Sequence, residues 1–330
     1  MNTANLALRQ TPPLSVPLRF FITAPLFGIL ASLLLIYIGP TIFGSRWGLN
    51  TLAITHLFTL GFISMVMFGA ILQLMPVVAG TVIPKPILIS SIIHLLLTLG
   101  CLCLTIGFVT GQNLLLRIAI VLLSLSFLSF TAIIGYYLMQ VKGNIIVGMR
   151  LALLALLVTA GLGILLAIRF AYGITLPLPM VLANIHLTWG LIGWVGLLII
   201  AIAYQVVPMF QITPQYNPKL MRWLIPILFI VLFLWTLAYI WLNGHNRLYV
   251  VSLITILISL GLAIFAGMTL RLQIQRLRKI PDVTLNFWRV GMVGLLLSIG
   301  LWITGIGWPE LANQPFYPLL LFILFVGGFG

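Results

Sequence analysis

Apolar runs long enough to cross a bilayer follow one another along almost the whole chain, at 20–39, 50–79, 87–110, 114–139, 151–170, 178–209, 222–242, 248–270, 287–306 and 316–330. A helix of about 20 apolar residues spans the hydrocarbon core. Ten such segments predict an all-α fold, a polytopic transmembrane helix bundle of about ten helices whose first partner is the lipid bilayer. Composition agrees, because only 5% of the residues are charged, against about a quarter in soluble domains. The net charge of +14 is not a nucleic-acid footprint, and no nucleic-acid partner is expected. Its 16 Lys and Arg sit almost entirely between the apolar runs, where cations report orientation and contact with anionic lipid.

Those cations set a topology. Arg46, Arg117, Arg169 and Arg247 fall on one side of the segments, and the other twelve, including the Arg271–Lys279 cluster, fall on the opposite side. The positive-inside rule then expects a multi-pass protein of the bacterial inner (cytoplasmic) membrane with its N-terminus in the cytoplasm. Met1 to Leu18 shows no short apolar core with a small-residue cleavage site, so the first helix is expected to be its own insertion signal.

Two segments resemble each other. The second carries Thr55-His56-Leu57, then Gly61, and ends Gln73-Leu74-Met75-Pro76; the sixth carries Ile185-His186-Leu187, then Gly190, and ends Gln205-Val206-Val207-Pro208. The histidines are 130 residues apart, and the His-to-Gln gap is 17 in one segment and 19 in the other. An offset of four segments implies parallel repeat units over roughly 20–139 and 151–270, with an incomplete third at 287–330, in a single membrane domain over 1–330. Segment ten holds about 15 residues, short of a full span.

An ionisable side chain inside a membrane is costly and marks an interior contact or a ligand. On the predicted topology His56 and His186 enter from the outer face and lie about two turns in, at one depth. Neutral imidazole is an axial ligand for haem iron, so the pair is a candidate set for haem b, with copper as the other metal. Interhelical hydrogen bonding is the competing reading. Arg46 with Trp47 could pair with haem propionates at the outer rim or act as an interfacial anchor, and Arg169 precedes the sixth segment in the same way. His94, Cys101 and Cys103 read as packing residues, and the two cysteines point to opposite sides of a helix. Met65, Met67 and Met75 read as packing rather than as soft copper ligands. His245 reads as an outer-loop residue.

Pro76 and Pro208 each remove a backbone donor near a helix end, and a Gln one turn earlier could satisfy the freed carbonyl. Only Asp282 and Glu310 are acidic, both between segments. A proton-coupled transporter normally needs a titratable relay at mid-membrane, so that class is disfavoured. No catalytic triad, His-Glu-x-x-His or phosphate-cradling glycine loop is present.

The run Thr55-His56-Leu57-Phe58-Thr59-Leu60-Gly61-Phe62 with Met67-Phe68-Gly69-Ala70, together with Ile185-His186-Leu187-Thr188-Trp189-Gly190, resembles the NnrS-like membrane proteins, which in turn resemble haem–copper oxidase subunit I. The resemblance implies helices arranged in four-helix arcs, a haem-ligating role for His56 on the second helix, and an electron donor or partner membrane subunit. His186 matches the oxidases in helix number only. The chain has four histidines, too few for two haems and a copper, and Phe316 to Gly330 has no counterpart of the oxidases' tenth-helix histidines. What the resemblance implies is electron transfer or handling of a small gas such as nitric oxide, without terminal-oxidase turnover. A cofactor-free transporter or channel, or a structural membrane subunit, is the alternative.

Overall fold

A computed structural model describes residues 12–278, 280, 282–312, 314 and 316–329. Arg9 and Lys279, two of the cations used for the topology, lie outside the described residues, as does Gly330. Nine helices among the described residues are long and apolar enough to cross a bilayer. They are α1 (Ser15–Ile38), α2 (Leu49–Ala79), α3 (Pro86–Thr110), α4 (Asn113–Met139), α5 (Asn144–Tyr172), α6 (Pro179–Gln211), α7 (Pro218–Trp241), α8 (Gly244–Ile274) and α9 (Val283–Gly307). A shorter apolar helix follows at Phe316–Phe322 and continues as a π turn over Ile323–Phe329. The all-α polytopic fold read from the hydropathy is the fold adopted, and no strand occurs among the described residues.

α1 shows what solvates these helices. Phe20, Ala24, Phe27 and Ala31 are buried, at i, i+4, i+7 and i+11, while Ile22, Leu26, Ile29 and Leu33 on the other side are exposed. The spacing is that of a helix with one packed stripe, yet both faces are apolar, which suits hydrocarbon and not water. Local punctuation fits. Pro86 and Pro218 open α3 and α7, where proline's missing N–H costs nothing. Gly80 and Gly111 end α2 and α3 at φ 61° and 68°, a left-handed cap that glycine adopts without strain.

The chain divides into two compact units, one of Met1–Val141 with Leu157–Ala183 and the other of Lys142–Leu156 with Asn184–Gly330. In the first, α3 and α4 form an antiparallel seam on a seven-residue step: a Cβ at Gly100 would stand 2.8 Å from Leu123, and one at Gly107 would stand 2.7 Å from Leu116. Phe68 of α2 stacks on Phe130 of α4 at 3.6 Å between ring centroids. Arg117 at the start of α4 donates to the Ala171 carbonyl of α5 (3.2 Å) and lies over the Tyr172 ring. In the second unit, α7 and α8 meet where Gly261 admits Leu228 and where Trp235 Nε1 donates to Thr255 Oγ1 (3.0 Å).

α2 and α6 share a feature the hydropathy does not reveal. Each is α-helical at its start, π-helical over eight residues, and α-helical again: Leu57–Ser64 is the π segment of α2 and Trp189–Gly196 that of α6. A π segment accommodates an inserted residue within an α-helix, and the neighbouring helices show the insertion directly. Phe20 and Phe27 on α1, seven residues apart, face Gly69 and Gly61 on α2, eight apart. In the second unit Gly148 and Ala155 of α5, seven apart, face Ala201 and Gly193 of α6, again eight apart. One residue more on the bulged helix spans the same distance as a heptad on the straight one.

These crossings fix the register of the repeat. The π segments, Gly61 with Gly193, Gly69 with Ala201, Gln73 with Gln205 and Pro76 with Pro208 are all offset by 132 residues. The structural counterpart of Gly61 is therefore Gly193 and not Gly190, because Gly193 is the residue that faces the neighbouring helix inside the bulge. The histidines keep their offset of 130. Both lie seven residues after the first residue of their helix, so they share a depth below their own helix starts. The two-residue difference in the His-to-Gln gap falls between histidine and bulge: His56 abuts its π segment, and His186 lies three positions before the first residue of its own. In the frame of the repeat the two are displaced by two residues, roughly 200° around a helix.

Candidate functional site

His56 is held by its own helix and by α3. Its Nδ1 lies 2.7 Å from the Leu52 carbonyl oxygen. A carbonyl only accepts, so Nδ1 carries the proton and the neutral ring presents its lone pair at Nε2. The His56 main-chain carbonyl accepts from the Cys101 thiol of α3 at 3.7 Å. The His56 ring lies 5.9 Å from the ring of Phe108, also on α3, and Phe108 packs edge-on against Phe170. Beyond Phe108, at the Leu49 end of α2, opens a cleft of about 540 Å³ lined by Thr41, Ser45, Asn50, Thr51 and Thr110 among others.

The bulge after His56 is held on several sides. Ser64 Oγ donates to the Thr59 carbonyl five residues earlier, at 2.7 Å, along the lengthened ladder that a π segment creates. A Cβ at Gly61 would stand 2.6 Å from Phe27 Cδ1 and 2.7 Å from Phe27 Cβ, so α1 presses directly on the bulge. Cys101, read from sequence as packing, is buried and unpaired with Cys103, and its thiol serves the His56 carbonyl.

The other predicted residues stand apart in role. Arg46 lies in the turn before α2, exposed, with its guanidinium 4.3 Å above the Trp47 ring. Arg169 is in the last turn of α5 and lies over Phe170. His186 belongs to the second unit and is half-buried there. Polar contacts occur on the same stretch of α6: Asn184 Nδ2 donates to the Tyr239 hydroxyl (2.6 Å) and Trp189 Nε1 to Thr236 Oγ1 (2.8 Å). Tyr239 itself stacks on Trp235, with Arg247 over it.

His94 is a helix–helix contact. Thr23 donates its hydroxyl proton to the Arg19 carbonyl (2.8 Å), so its oxygen accepts from His94 Nε2 (2.8 Å). That is the opposite tautomer from His56. His245 lies in the first turn of α8 rather than in a loop, and is exposed. The expectation that Gln73 and Gln205 satisfy carbonyls freed by proline is not met: neither side chain makes a hydrogen bond among the described residues, and Gln73 Oε1 is buried without a partner. Pro76 and Pro208 lie within their helices.

A second polar cluster, not anticipated from sequence, joins α6, α8 and the 212–217 connection. Gln273 Nε2 donates to Gln211 Oε1 (3.0 Å), and the Tyr216 and Thr269 hydroxyls are 2.9 Å apart. Burial pushes the Tyr216 hydroxyl above the usual tyrosine range, so it stays protonated and able to donate. Gln211 Nε2 and Gln273 Oε1, the complementary halves of a second amide bond, are left without partners. A Gln273→Leu substitution strands the buried Gln211 amide and should cost ~1–3 kcal/mol. The double Gln211→Leu, Gln273→Leu variant removes both halves and should recover most of that loss in a detergent unfolding titration. A double variant weaker than either single one would show the amides to be worth more than their packing.

No protein-family model matches the chain, and no curated protein matches it. The chemistry must be read from the residues. Among the described residues no three His, Cys, Asp or Glu side chains gather as a metal site. Haem does not require such a cluster, because the macrocycle supplies four nitrogens and the protein adds one or two axial ligands.

Proposed function

We propose that this chain is a haem-binding membrane protein of the NnrS-like kind, with His56 and His186 as the residues that would hold the haem or metal, His56 foremost. The observation that carries the reading is the 2.7 Å contact of His56 Nδ1 with the Leu52 carbonyl. Metal-ligating histidines donate their other ring N–H in this way, which fixes tautomer and ring orientation and raises the basicity of the ligating nitrogen. Haem held there would supply a one-electron couple and a place for a diatomic gas. The protein's own part is to hold the His56 lone pair in place inside hydrocarbon, with Arg46 and Trp47 as candidate partners for propionates.

The role proposed is electron transfer or handling of a small gas such as nitric oxide, in the bacterial inner membrane with the N-terminus in the cytoplasm, served by an electron donor or a partner membrane subunit. Copper held by protein ligands alone fits less well, since no three His, Cys, Asp or Glu side chains gather as a metal site among the described residues. A dithionite-reduced minus oxidised absorbance spectrum of protein made with haem in supply tests the reading. A b-type signal supports it. A colourless protein removes it and brings forward a cofactor-free transporter, channel or structural subunit.

A further inference from the structure

We infer that the π segment after His56 is a positioning device, which turns the imidazole relative to the α1–α2 seam and is clamped there by Cys101, Ser64 and Phe27. This deepens the haem reading and rests on it for its functional consequence, but its geometry is testable without any cofactor.

The body of α2 is fixed against α1 by two close approaches, Phe20 on Gly69 and Phe27 on Gly61. An unbroken α-helix would meet a heptad on α1 with a heptad on α2, whereas eight residues separate the two glycines. The extra residue therefore leaves the seam intact and is taken up as rotation. One residue is roughly 100° of helical turn, so His56, at the start of the bulge, points to a different azimuth from the one a straight α2 would give it.

A bulge that sets a side chain must itself be prevented from migrating along its helix. Three contacts from three directions do this. The Cys101 thiol donates to the carbonyl of His56, where the π segment begins. Ser64 closes the far end by donating to Thr59 (2.7 Å). Phe27 presses on the middle, where only glycine fits. In α6 the bulge is present but His186 stands three positions before its first residue, and the position of Cys101 in the repeat is taken by Phe233. The clamp on a histidine is particular to the first unit.

Deleting Phe62, which lies between the two glycines and whose side chain is exposed, restores a seven-residue step on both helices but leaves His56 five residues before Gly61. Inserting one alanine directly after His56 in the same variant straightens α2 at unchanged length and turns the imidazole by roughly 100° relative to the seam. This deletion–insertion variant should keep the helical content and thermal midpoint of the full-length chain while its haem signal falls to background. A folded deletion–insertion variant with undiminished haem would overturn the inference. The clamp is read separately by isotope-edited infrared spectroscopy of protein carrying ¹³C-carbonyl histidine, with His56→Ala identifying the His56 band. That band should shift in Cys101→Val and keep its place in Cys101→Ser, which retains a donor. A band unmoved by Cys101→Val would overturn the clamp even if the deletion–insertion variant fails to fold. Wild-type protein that lacks haem but shows the infrared shift would leave the clamp standing and refute the haem reading.

Discussion

His56→Ala should reduce the b-type difference spectrum to background while leaving the protein folded, and added imidazole should restore part of the signal. The physical reason is specific to this residue. Its ring proton is committed to Leu52 at 2.7 Å, so the second nitrogen carries the lone pair that a haem iron takes up. Truncation removes that lone pair but leaves the seam intact, because the contacts that set the helix are made by Gly61 and Gly69. Free imidazole can enter the space vacated by the side chain and present the same nitrogen without the main-chain tether. His94→Ala is the control. Its Nε2 donates to Thr23, so losing it weakens an α1–α3 contact, worth ~0.6 kcal/mol on average for hydrogen bonds between membrane helices, without touching the spectrum. Equal loss of signal in both variants would show that the spectrum reports folding and not ligation. His186→Ala decides the second ligand: loss of the signal gives iron two histidines, and a retained signal leaves His56 as the only one of the two that binds it.

How much of this was legible in the sequence follows from what sets each feature. The spans were legible because length and hydropathy act locally, and bilayer thickness imposes the same requirement on each segment. The likeness of α2 and α6 was legible in His, Gln and Pro. Its register was not. Anchoring the comparison on the histidines paired Gly61 with Gly190, whereas the helix crossings pair it with Gly193. The gaps of 17 and 19 residues already held the discrepancy, but only the neighbouring helix shows on which side of the bulge it falls. The bulge itself has the same cause: a step of eight is unremarkable until it is set against the step of seven that it faces. The role of Cys101 was hidden for a different reason. A buried thiol is chemically indistinct from a small apolar residue in sequence, and its partner is a main-chain atom 45 residues away. The Gln211–Gln273 pair was likewise invisible, being made across 62 residues of chain.

Gly61→Ala and Gly193→Ala should each destabilise the protein by ~1–3 kcal/mol, the usual range for forcing atoms into a filled core, whereas Gly135→Ala in α4 should be neutral or stabilising. The three substitutions add the same methyl group to a helix, and alanine is the better helix former by ~0.8–1.0 kcal/mol, so propensity alone predicts a gain at all three. Space decides otherwise. Nothing lies within 4 Å of a Cβ at Gly135, but at Gly193 one would stand 2.8 Å from Ala155 Cβ, and at Gly61 one would stand 2.7 Å from Phe27 Cβ. In both crowded cases the obstacle includes the partner's own Cβ, which no rotamer change can move, so the helices themselves must separate. Separation at Gly61 also loosens the bulge that orients His56, so Gly61→Ala should lose haem at temperatures where Gly193→Ala still holds it. The pair thereby separates two consequences of one packing rule, stability in both units and ligand geometry in the first alone. Thermal unfolding monitored by helical circular dichroism, read beside the haem spectrum, distinguishes them. Equal midpoints for Gly61→Ala and Gly135→Ala would mean that α1 does not press on the bulge, and the register of α2 would then need another cause.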